Sequence, residues 1–337
     1  MSDLKSNRIE WIDFCKGLLM LLVIFSHCLG GQSIVGEAAR GAIFSFHMPM
    51  FFMLSCITFR YSASSDEWRA KTLKAFKHLI IPALIMYAHK IIGELILGYG
   101  SDSQFVLKKL LSLLFASGIL YDLKNITVPE IGVFWFVYAL FIGRSLYDLL
   151  RCRNSGRYFY LKAAAVSIAG IIIGQFVQLP FSADVAMAVF PFFYMGDKFS
   201  ALKLNEHKRR NIIICIAVWI ADMLLSYIIM HGYFELACRR YTLFPLCYLG
   251  AAAGIILMYY FCEYVCSFKK LIGPIVYIGR YSMVMLSVHC MDFMWEMVWK
   301  APGNEFACAI VRTVIDIAVF AVIMLIKNKL KRPEAIK

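Results

Sequence analysis

The apolar stretch from Phe14 to Gly30 constrains most strongly what this chain can fold into. A helix needs about 20 mostly apolar residues to cross a bilayer, and this stretch with its flanks is long enough. Lys16, near its start, can extend its ammonium group to the nearer membrane surface. His27 lies eleven residues further along the chain, about 16 Å along a helix axis. Its ionisable side chain therefore lies inside the apolar layer or near the far surface, which predicts a functional site.

Composition places the whole chain in the membrane. Hydrophobic residues make up 61% of it and charged residues 17%, whereas soluble domains average about 45–50% and about 25%. The formal net charge of +13 is explained by lysines and arginines gathered in cytoplasmic loops. No basic and aromatic motif of a nucleic-acid-binding module is present, so we expect no nucleic-acid partner.

The 11 cysteines are scattered through apolar segments and form no CxxC pair. This pattern predicts neither a disulfide framework nor a metal site. Buried cysteines usually pack as small hydrophobic residues. Cys28 adjoins His27 in sequence and so lies on a different helix face, although a covalent intermediate stays open.

The spacing of apolar stretches predicts an all-α integral membrane protein, a bundle of about ten transmembrane helices. Residues 1–337 are expected to form one transmembrane domain that ends in a short basic tail over 328–337. The predicted spans are 11–31, 40–60, 77–98, 131–150, 160–179, 184–200, 210–231, 242–264, 274–298 and 306–327. The segments 160–179 and 184–200 are joined around Pro180 and should form a tight antiparallel pair.

Loop charges predict the orientation. With ten spans, basic clusters fall on one side only, at Lys5 and Arg8, at 60–77, at 151–157, at 198–210, at 269–270 and at 327–332. The positive-inside rule then puts both termini in the cytoplasm of a multi-pass protein, with the bacterial cytoplasmic membrane as the expected location. The longest outer connection, 99–130, contains an amphipathic segment, Phe105 to Phe115. That segment fits either an interfacial helix or a loosely ordered loop.

A second histidine is predicted at the depth of His27. The second span returns from outside, and His47 lies early in it, followed by Pro49. Proline frees a backbone carbonyl that must be satisfied inside the membrane, so a polar pocket is expected here. His47 could equally bond a neighbouring helix. An imidazole that is neutral near pH 7 suits a general base that activates an attacking hydroxyl, and it suits a proton-coupled transporter as well.

Five segments resemble the membrane acyltransferase-3 family, in family order and over nearly the whole chain. They are Arg8–Gly17 with the apolar run to His27, Phe46–Phe52, Phe134–Phe136, Phe190–Gly196, and Ile278–Met283 continuing to His289. Lys16 and His27 match the family's pairing of a basic residue with a histidine after ten intervening residues. The family commonly has Arg where this chain has Lys16, and Ser-Gly where it has Ser55 and Cys56.

The resemblance implies a ten-helix enzyme that transfers an acyl group, often acetyl from acetyl-CoA, to a hydroxyl of a cell-envelope carbohydrate. It makes His27 the catalytic histidine. Our hypothesis is that His27 is the general base and that His47 orients it or stabilises charge. No metal is needed. Lys16, Arg69, Lys71, Lys74 and Arg280 are the candidates for holding the acyl-CoA phosphates. Each of the loop cations is also explained as an ordinary positive-inside charge.

Two further residues are candidates for substrate binding. A sugar ring could stack on Trp135, although a tryptophan there more often packs or anchors the helix in the membrane interface. His289, near the middle of the ninth span, could join the pocket of His27. The interpretation of the whole chain is a membrane O-acyltransferase. The alternatives are a proton-coupled transporter or exporter of a polysaccharide or small solute, and a structural or sensory subunit; no internal repeat supports a transporter.

Overall fold

The computed structural model describes residues 9–154 and 156–331. Residues are grouped in two compact units, one formed by the segments up to His47 and from Ile256 onward, the other by Met48–Ile255. Lys5 and Arg8, used above for the orientation, and residues 332–337 of the expected tail lie outside the described residues. Residues 328–331 continue the last helix, which ends at Lys331.

Helices dominate both units. The first part of the chain contains α1 (Glu10–Ser26), α2 (Ile34–Phe44), α3 (His47–Ile57), α4 (Ser65–Ala75), α5 (Ile81–Ile96), α6 (Phe105–Phe115), the strands β1 (Tyr121–Leu123) and β2 (Ile126–Val128), α7 (Trp135–Arg153) and α8 (Gly156–Phe176). The second part contains α9 (Ala183–Ala188), α10 (Phe190–Asp197), α11 (Lys208–Met230), α12 (Leu246–Cys266), α13 (Lys269–Arg280), α14 (Ser282–Met291), α15 (Glu296–Lys300) and α16 (Glu305–Lys331).

Seven helical segments in the described part of the chain are long and apolar enough to cross a membrane. They confirm an all-α, multi-pass membrane protein. The predicted number of ten spans and the orientation of the termini stay predictions. Three of the ten predicted spans are not among these seven segments, because their helices are short or interrupted. The helix α1 has 17 residues, the sixth predicted span is divided between α9 and α10, and the ninth is divided between α13 and α14.

The helices α1 and α13 of the first unit cross with their backbones in contact. A Cβ atom added to Gly17 would meet the carbonyl oxygen of Ile275, and one added to Gly279 would meet the carbonyl oxygen of Asp13. Small residues at a crossing allow helix axes to approach closely in a membrane, where no hydrophobic effect drives helices together. The crossing therefore depends on glycine at both positions.

In the second unit, α8 packs against α9 as the expected antiparallel pair. The Ser167 hydroxyl donates to the carbonyl oxygen of Ala188 over 3.0 Å, and Gly170 lies against the backbone at Asp184. Asp184 is fully buried and accepts two hydrogen bonds from the Arg239 guanidinium, over 2.7 and 3.2 Å. This pair closes the end of α9 against the loop that carries Arg239.

The long connection between residues 99 and 130 is ordered. The helix α6 covers Phe105–Phe115, which confirms the helical alternative for that segment. Asp102 precedes it and accepts a hydrogen bond from Lys108 over 2.6 Å, which lowers the pKa of the Asp102 carboxyl. After α6, the strands β1 and β2 form an antiparallel hairpin that the hydrophobic pattern does not predict.

Candidate active site

His27 is the residue that follows α1, and the loop after it is held in place by Glu305. The Gly30 amide donates to Oε2 of Glu305 over 3.0 Å, and the Ser33 hydroxyl donates to Oε1. Glu305 is buried at the start of α16. The turn itself uses Gly30 and Gly31 at φ values of 85° and 135°, which favour glycine. The loop therefore fixes the end of α1, and His27 with it.

The imidazole of His27 is exposed, and it lies between two other rings. Its centroid is 5.3 Å from that of His289 and 5.6 Å from that of Phe44. Within the described part of the chain, the imidazole of His27 makes no hydrogen bond; its backbone amide donates to the carbonyl oxygen of Val23 over 3.1 Å. Both ring nitrogens are thus unengaged by protein, and a substrate can approach an imidazole that already has a second imidazole beside it.

His289, in contrast, is buried and bound to a carboxylate. Its Nδ1 lies 2.8 Å from Oδ2 of Asp292, which follows α14 by one residue. Arg312 of α16 donates to both oxygens of that carboxylate, from Nε over 2.6 Å and from Nη2 over 2.9 Å. Charge-assisted, two-pronged bonds of this kind are short and strongly directional. They fix the position of Asp292, and Asp292 fixes the ring of His289.

Two tryptophans and a second acid complete the cluster. The Trp299 indole donates to the carbonyl oxygen of Asp292 over 3.1 Å, and the Arg312 guanidinium stacks 4.4 Å above the centre of the Trp299 ring. The Trp295 indole donates to Oδ1 of Asp316 over 3.3 Å. Oδ2 of Asp316 is buried without a hydrogen-bond partner, 3.7 Å from Nδ1 of His289. The name His289 cluster is used below for the four ionisable residues alone: His289, Asp292, Arg312 and Asp316.

The geometry assigns a tautomer to His289. With Nδ1 carrying the proton and donating to Asp292, the neutral ring keeps Nε2 as a hydrogen-bond acceptor. This proton position is assigned from the heavy-atom contacts rather than observed. A carboxylate on one ring nitrogen makes the other nitrogen a better proton acceptor and stabilises the imidazolium. The cluster is therefore equipped to accept and hold a proton.

The same residues offer ligand atoms to a cation. One atom each from His289, Asp292 and Asp316 lies within 4.8 Å of the other two, a grouping that could hold a metal ion. Both oxygens of Asp292, however, already accept bonds from the cationic Arg312, which opposes a second cation there. The absence of a metal stays a prediction.

His47 lies on the other side of Phe44. Its ring centroid is 4.8 Å from that of Phe44, and its Nδ1 donates to the carbonyl oxygen of Ile43 over 2.9 Å. The side chain is buried, with 2% of its surface exposed. Phe44 thus contacts both His27 and His47, and the imidazole that lies beside His27 is that of His289.

Two of the predicted donor-binding residues, Lys16 and Arg280, belong to the first unit and lie near the start of α1. Nε of Arg280 is 3.3 Å from Oδ2 of the buried Asp13, so Arg280 anchors α13 to α1 and keeps 44% of its side chain exposed. Lys16 is half-buried, one turn further along α1. Their predicted role in binding acyl-CoA stays a prediction.

The remaining predicted residues belong to the second unit. Arg69 is highly exposed and lies 3.8 Å from Asp66, Lys71 pairs with Glu67 over 2.8 Å, and Lys74 is exposed on α4. Trp135 is 8% exposed and its ring packs beside Gly118. A sugar stacked on that ring would need more of its face open, so substrate binding by Trp135 stays a prediction.

Sequence reasoning missed three residues of the His289 cluster: Asp292, Arg312 and Asp316. A signal for two of them was present, because Arg312 and Asp316 are four residues apart in the last predicted span. Residues four apart share a helix face, and charges inside a span normally face the protein interior and carry function.

Comparison with known families agrees with the resemblance found in the sequence. The family model described as an acyltransferase domain, acyltransferase-3, matches residues 9–326. The chain belongs to the acyltransferase-3 family. This confirms the family assigned from the five segments, and the match includes α1, α14 and most of α16, which carry or flank His27 and the His289 cluster.

Two relatives are nodulation proteins NolL. The protein from Sinorhizobium fredii (strain NBRC 101917 / NGR234) is 24% identical over 232 residues, which cover 64% of this chain and 56% of the relative. The protein from Mesorhizobium japonicum (strain LMG 29417 / CECT 9101 / MAFF 303099) is 25% identical over 202 residues, covering 58% and 48%. The chain thus matches about half the length of these relatives.

Proposed function

We propose that this acyltransferase-3 protein is a membrane O-acyltransferase. It moves an acyl group, with acetyl as the best candidate, from cytoplasmic acyl-CoA to a hydroxyl of a cell-envelope glycan or a related surface molecule. The observation that carries the proposal is the exposed imidazole of His27 in contact with His289, whose Nδ1 is bound to Asp292. Family membership supports the reaction class.

In the proposed reaction, His27 is the general base. Its imidazole takes the proton of the acceptor hydroxyl while the hydroxyl oxygen attacks the thioester carbonyl carbon. A new C–O bond forms, the C–S bond breaks, and the CoA thiolate leaves and takes up the proton from the His27 imidazolium. Positive charge thus appears on His27 during the attack and disappears when the thiol departs.

The His289 cluster acts on that transient charge. His289 keeps Nε2 as an acceptor because Asp292 binds its Nδ1–H, and an acceptor beside His27 stabilises the imidazolium. Arg312 holds Asp292 with two hydrogen bonds. In this proposal His289, Asp292 and Arg312 are positioning residues, and His47 supports the pocket through Phe44.

A second function has an observation in its favour. Buried carboxylates beside a histidine within membrane helices are typical of proton pathways in transporters, and Asp316 has one buried oxygen without a partner. A proton-coupled transporter or exporter of a polysaccharide or small solute is therefore the alternative. It predicts proton movement coupled to a solute and no turnover of acyl-CoA.

Labelled acetyl-CoA separates the two functions. Proteoliposomes or cells would be supplied with the label, and its transfer into envelope glycan would be followed for wild type, His27→Ala and His47→Ala at equal membrane expression. We expect label in the wild type, none above background with His27→Ala, and an intermediate level with His47→Ala.

Each outcome assigns the function. If transfer continues unchanged with His27→Ala, His27 is not the general base and the proposed mechanism is wrong. No transfer by wild type, across acetyl and longer acyl donors, favours the transporter. Proton uptake that depends on an added solute would then be measured in the same vesicles.

A further inference from the structure

Arg40, in the last part of α2, is fixed to the loop that follows His27. Its Nη1 donates to the carbonyl oxygen of Leu29 over 3.2 Å. Its stem packs against Gly30, where an added Cβ atom would lie 3.0 Å from Cδ of Arg40. The carbon at the centre of its guanidinium lies 4.8 Å from the centre of the Phe44 ring. Three contacts therefore hold this guanidinium in the first unit, close to the candidate active site.

Two nitrogens of the Arg40 guanidinium have no hydrogen-bond partner among the described residues. Nε is buried and makes no hydrogen bond. Nη2 makes none either, since the Leu29 carbonyl is bound through Nη1, and unlike Nε it is not shielded from solvent. Nε and Nη2 lie on the same edge of the planar group, so one acceptor can approach both. Arg40 thus keeps one edge of its guanidinium open.

The same edge binds a carboxylate in two other arginines of this protein. Nε and Nη2 of Arg312 donate to the two oxygens of Asp292. Nε and Nη2 of Arg239 donate to the two oxygens of Asp184. A guanidinium edge binds anionic oxygens in this way because its N–H groups form a rigid fork. The open edge of Arg40 is therefore equipped to bind an anionic oxygen that no described residue supplies.

Two acids belong to the segments around Arg40, and neither occupies that edge. Glu37 lies one turn earlier on α2 and forms no ion pair with Arg40 in the part of the chain that the structure describes. Glu305 of α16 accepts hydrogen bonds from the Gly30 amide and the Ser33 hydroxyl instead. The N–H groups of the open edge are thus available to a substrate.

The charge of Arg40 acts on the His27 ring, and Phe44 contacts both side chains. Two positive charges at close range repel each other, so Arg40 opposes an imidazolium at His27 unless a negative charge forms near both. The proposed reaction creates both charges together, an imidazolium on His27 and an oxyanion on the thioester carbonyl oxygen. His289 stabilises the imidazolium in that proposal, and the oxyanion still requires a partner.

We propose that Arg40 is a catalytic residue that stabilises the oxyanion of acyl transfer, an inference that rests on the proposed function. When the acceptor oxygen bonds to the carbonyl carbon, the π electrons of the C=O bond move onto the carbonyl oxygen, and Nη2 and Nε of Arg40 donate to that oxygen. The electrons return when the C–S bond breaks, and the CoA thiolate leaves with the proton that His27 took from the hydroxyl. A guanidinium already held by Leu29 and Gly30 meets the transient charge without reorganisation.

The test separates the rate of the chemical step from substrate binding. Full-length wild type, Arg40→Gln, Arg40→Lys, Arg40→Ala and the control Lys329→Gln would be purified in nanodiscs, and the folded fraction of each would be measured by thermal unfolding. Lys329 is exposed near the end of α16, 24 residues after Glu305 and thus about 36 Å along the axis. Transfer from labelled acetyl-CoA to isolated envelope glycan would give kcat and the KM of each substrate per folded molecule.

We expect Arg40→Gln to lower kcat by about 10²- to 10³-fold, the usual effect of losing a donor to an oxyanion, while both KM values stay within a few-fold of wild type. Glutamine still offers an N–H group to the Leu29 carbonyl, so the loop should keep its position. Arg40→Lys should be intermediate, because it keeps the charge without the fork. Added methylguanidinium should restore part of the activity of Arg40→Ala, and Lys329→Gln should behave as wild type does.

Three outcomes overturn the catalytic role of Arg40. They are equal kcat values for wild type and Arg40→Gln, a loss that only follows the folded fraction, and a raised KM for glycan with unchanged kcat, which would mean that Arg40 binds an anionic group of the acceptor. In all three, wild type transfers label, so the proposed function stands and only this role fails. If wild type transfers no acyl group from any donor, the proposed function itself is wrong, and no oxyanion forms for Arg40 to stabilise.

Discussion

Nδ1 of His289 lies 2.8 Å from Oδ2 of Asp292, three residues further along the chain. The contact joins the end of α14 to the turn that follows it, and both residues are buried, each 3% exposed. Because Arg312 holds the same carboxylate from α16, two separate helices determine how one imidazole is oriented. That imidazole is the one that lies against the exposed ring of His27.

The first prediction concerns the general base. Replacing His27 by alanine should lower acyl transfer by about 10²- to 10⁴-fold, the usual contribution of general-base catalysis. The exposed ring makes no hydrogen bond within the described residues, so folding should be little affected. The measurement is label transfer at equal membrane expression, with His78→Ala, an exposed histidine of the second unit, as control. Equal losses in both variants would contradict the assignment.

A second prediction concerns the orientation of His289. Asp292→Asn keeps the shape but removes the charge, so Nδ1 no longer has a carboxylate to donate to, and kcat should fall by roughly 10²- to 10⁴-fold. Asp292→Glu should restore part of that rate. The same change removes one partner of a buried ion pair and leaves Arg312 without its counter-charge. It should therefore also lower the free energy of unfolding by about 3–5 kcal/mol. Activity per folded molecule and thermal unfolding must therefore be measured together.

Arg312→Lys gives the matched test of the same carboxylate. Lysine keeps the charge but not the planar fork that reaches both oxygens, so the rate should lie between those of wild type and Asp292→Asn. The substrate KM should change little, since Arg312 acts through Asp292 and His289. A large rise in KM with unchanged kcat would instead place Arg312 in substrate binding.

The crossing of α1 and α13 gives a prediction about stability. Gly279→Ala would push a methyl group into the carbonyl oxygen of Asp13. This clash should lower the free energy of unfolding by about 1–3 kcal/mol. Gly273→Ala in the same helix meets open space and should be neutral or stabilising, because alanine favours the helix more than glycine does. Thermal stability in detergent compares the two, and an equal response would argue against the close crossing.

The buried pair of the second unit gives a further prediction. Arg239→Ala removes the counter-charge of the buried Asp184 and both guanidinium hydrogen bonds, while the Leu179 amide still donates to it. The free energy of unfolding should fall by about 3–5 kcal/mol. The adjacent Arg240 is exposed and serves as control, since Arg240→Ala removes the same charge from the same loop. Unfolding temperatures of the two variants should differ clearly, and similar values would mean that Asp184 finds another partner.

Several features followed from local sequence. Long apolar runs predicted the membrane helices of α7, α8, α11, α12 and α16 because a bilayer requires that length and composition. The amphipathic pattern at 105–115 predicted α6. Hydropathy did not predict the breaks between α9 and α10 or between α13 and α14, since a change of helix direction within an apolar run leaves its average composition the same.

His27 could be singled out from the sequence alone, because an ionisable residue in an apolar run has few structural explanations. The sequence also determined the family, the helical class and the membrane setting. Its partners could not be found in this way. His289, Asp292, Arg312 and Asp316 lie more than 260 residues from His27 in the chain, and only the packing of α1, α14 and α16 brings them together. Tertiary structure also decided the partners of two acids in the second unit, because the hydrogen bonds from Ser62 to Asp148 and the ion pair of Arg151 with Asp197 form between segments distant in sequence. The hydropathy of each segment determines which polar side chains enter the membrane. Contacts between distant segments determine which of those side chains find hydrogen-bond or ion-pair partners there.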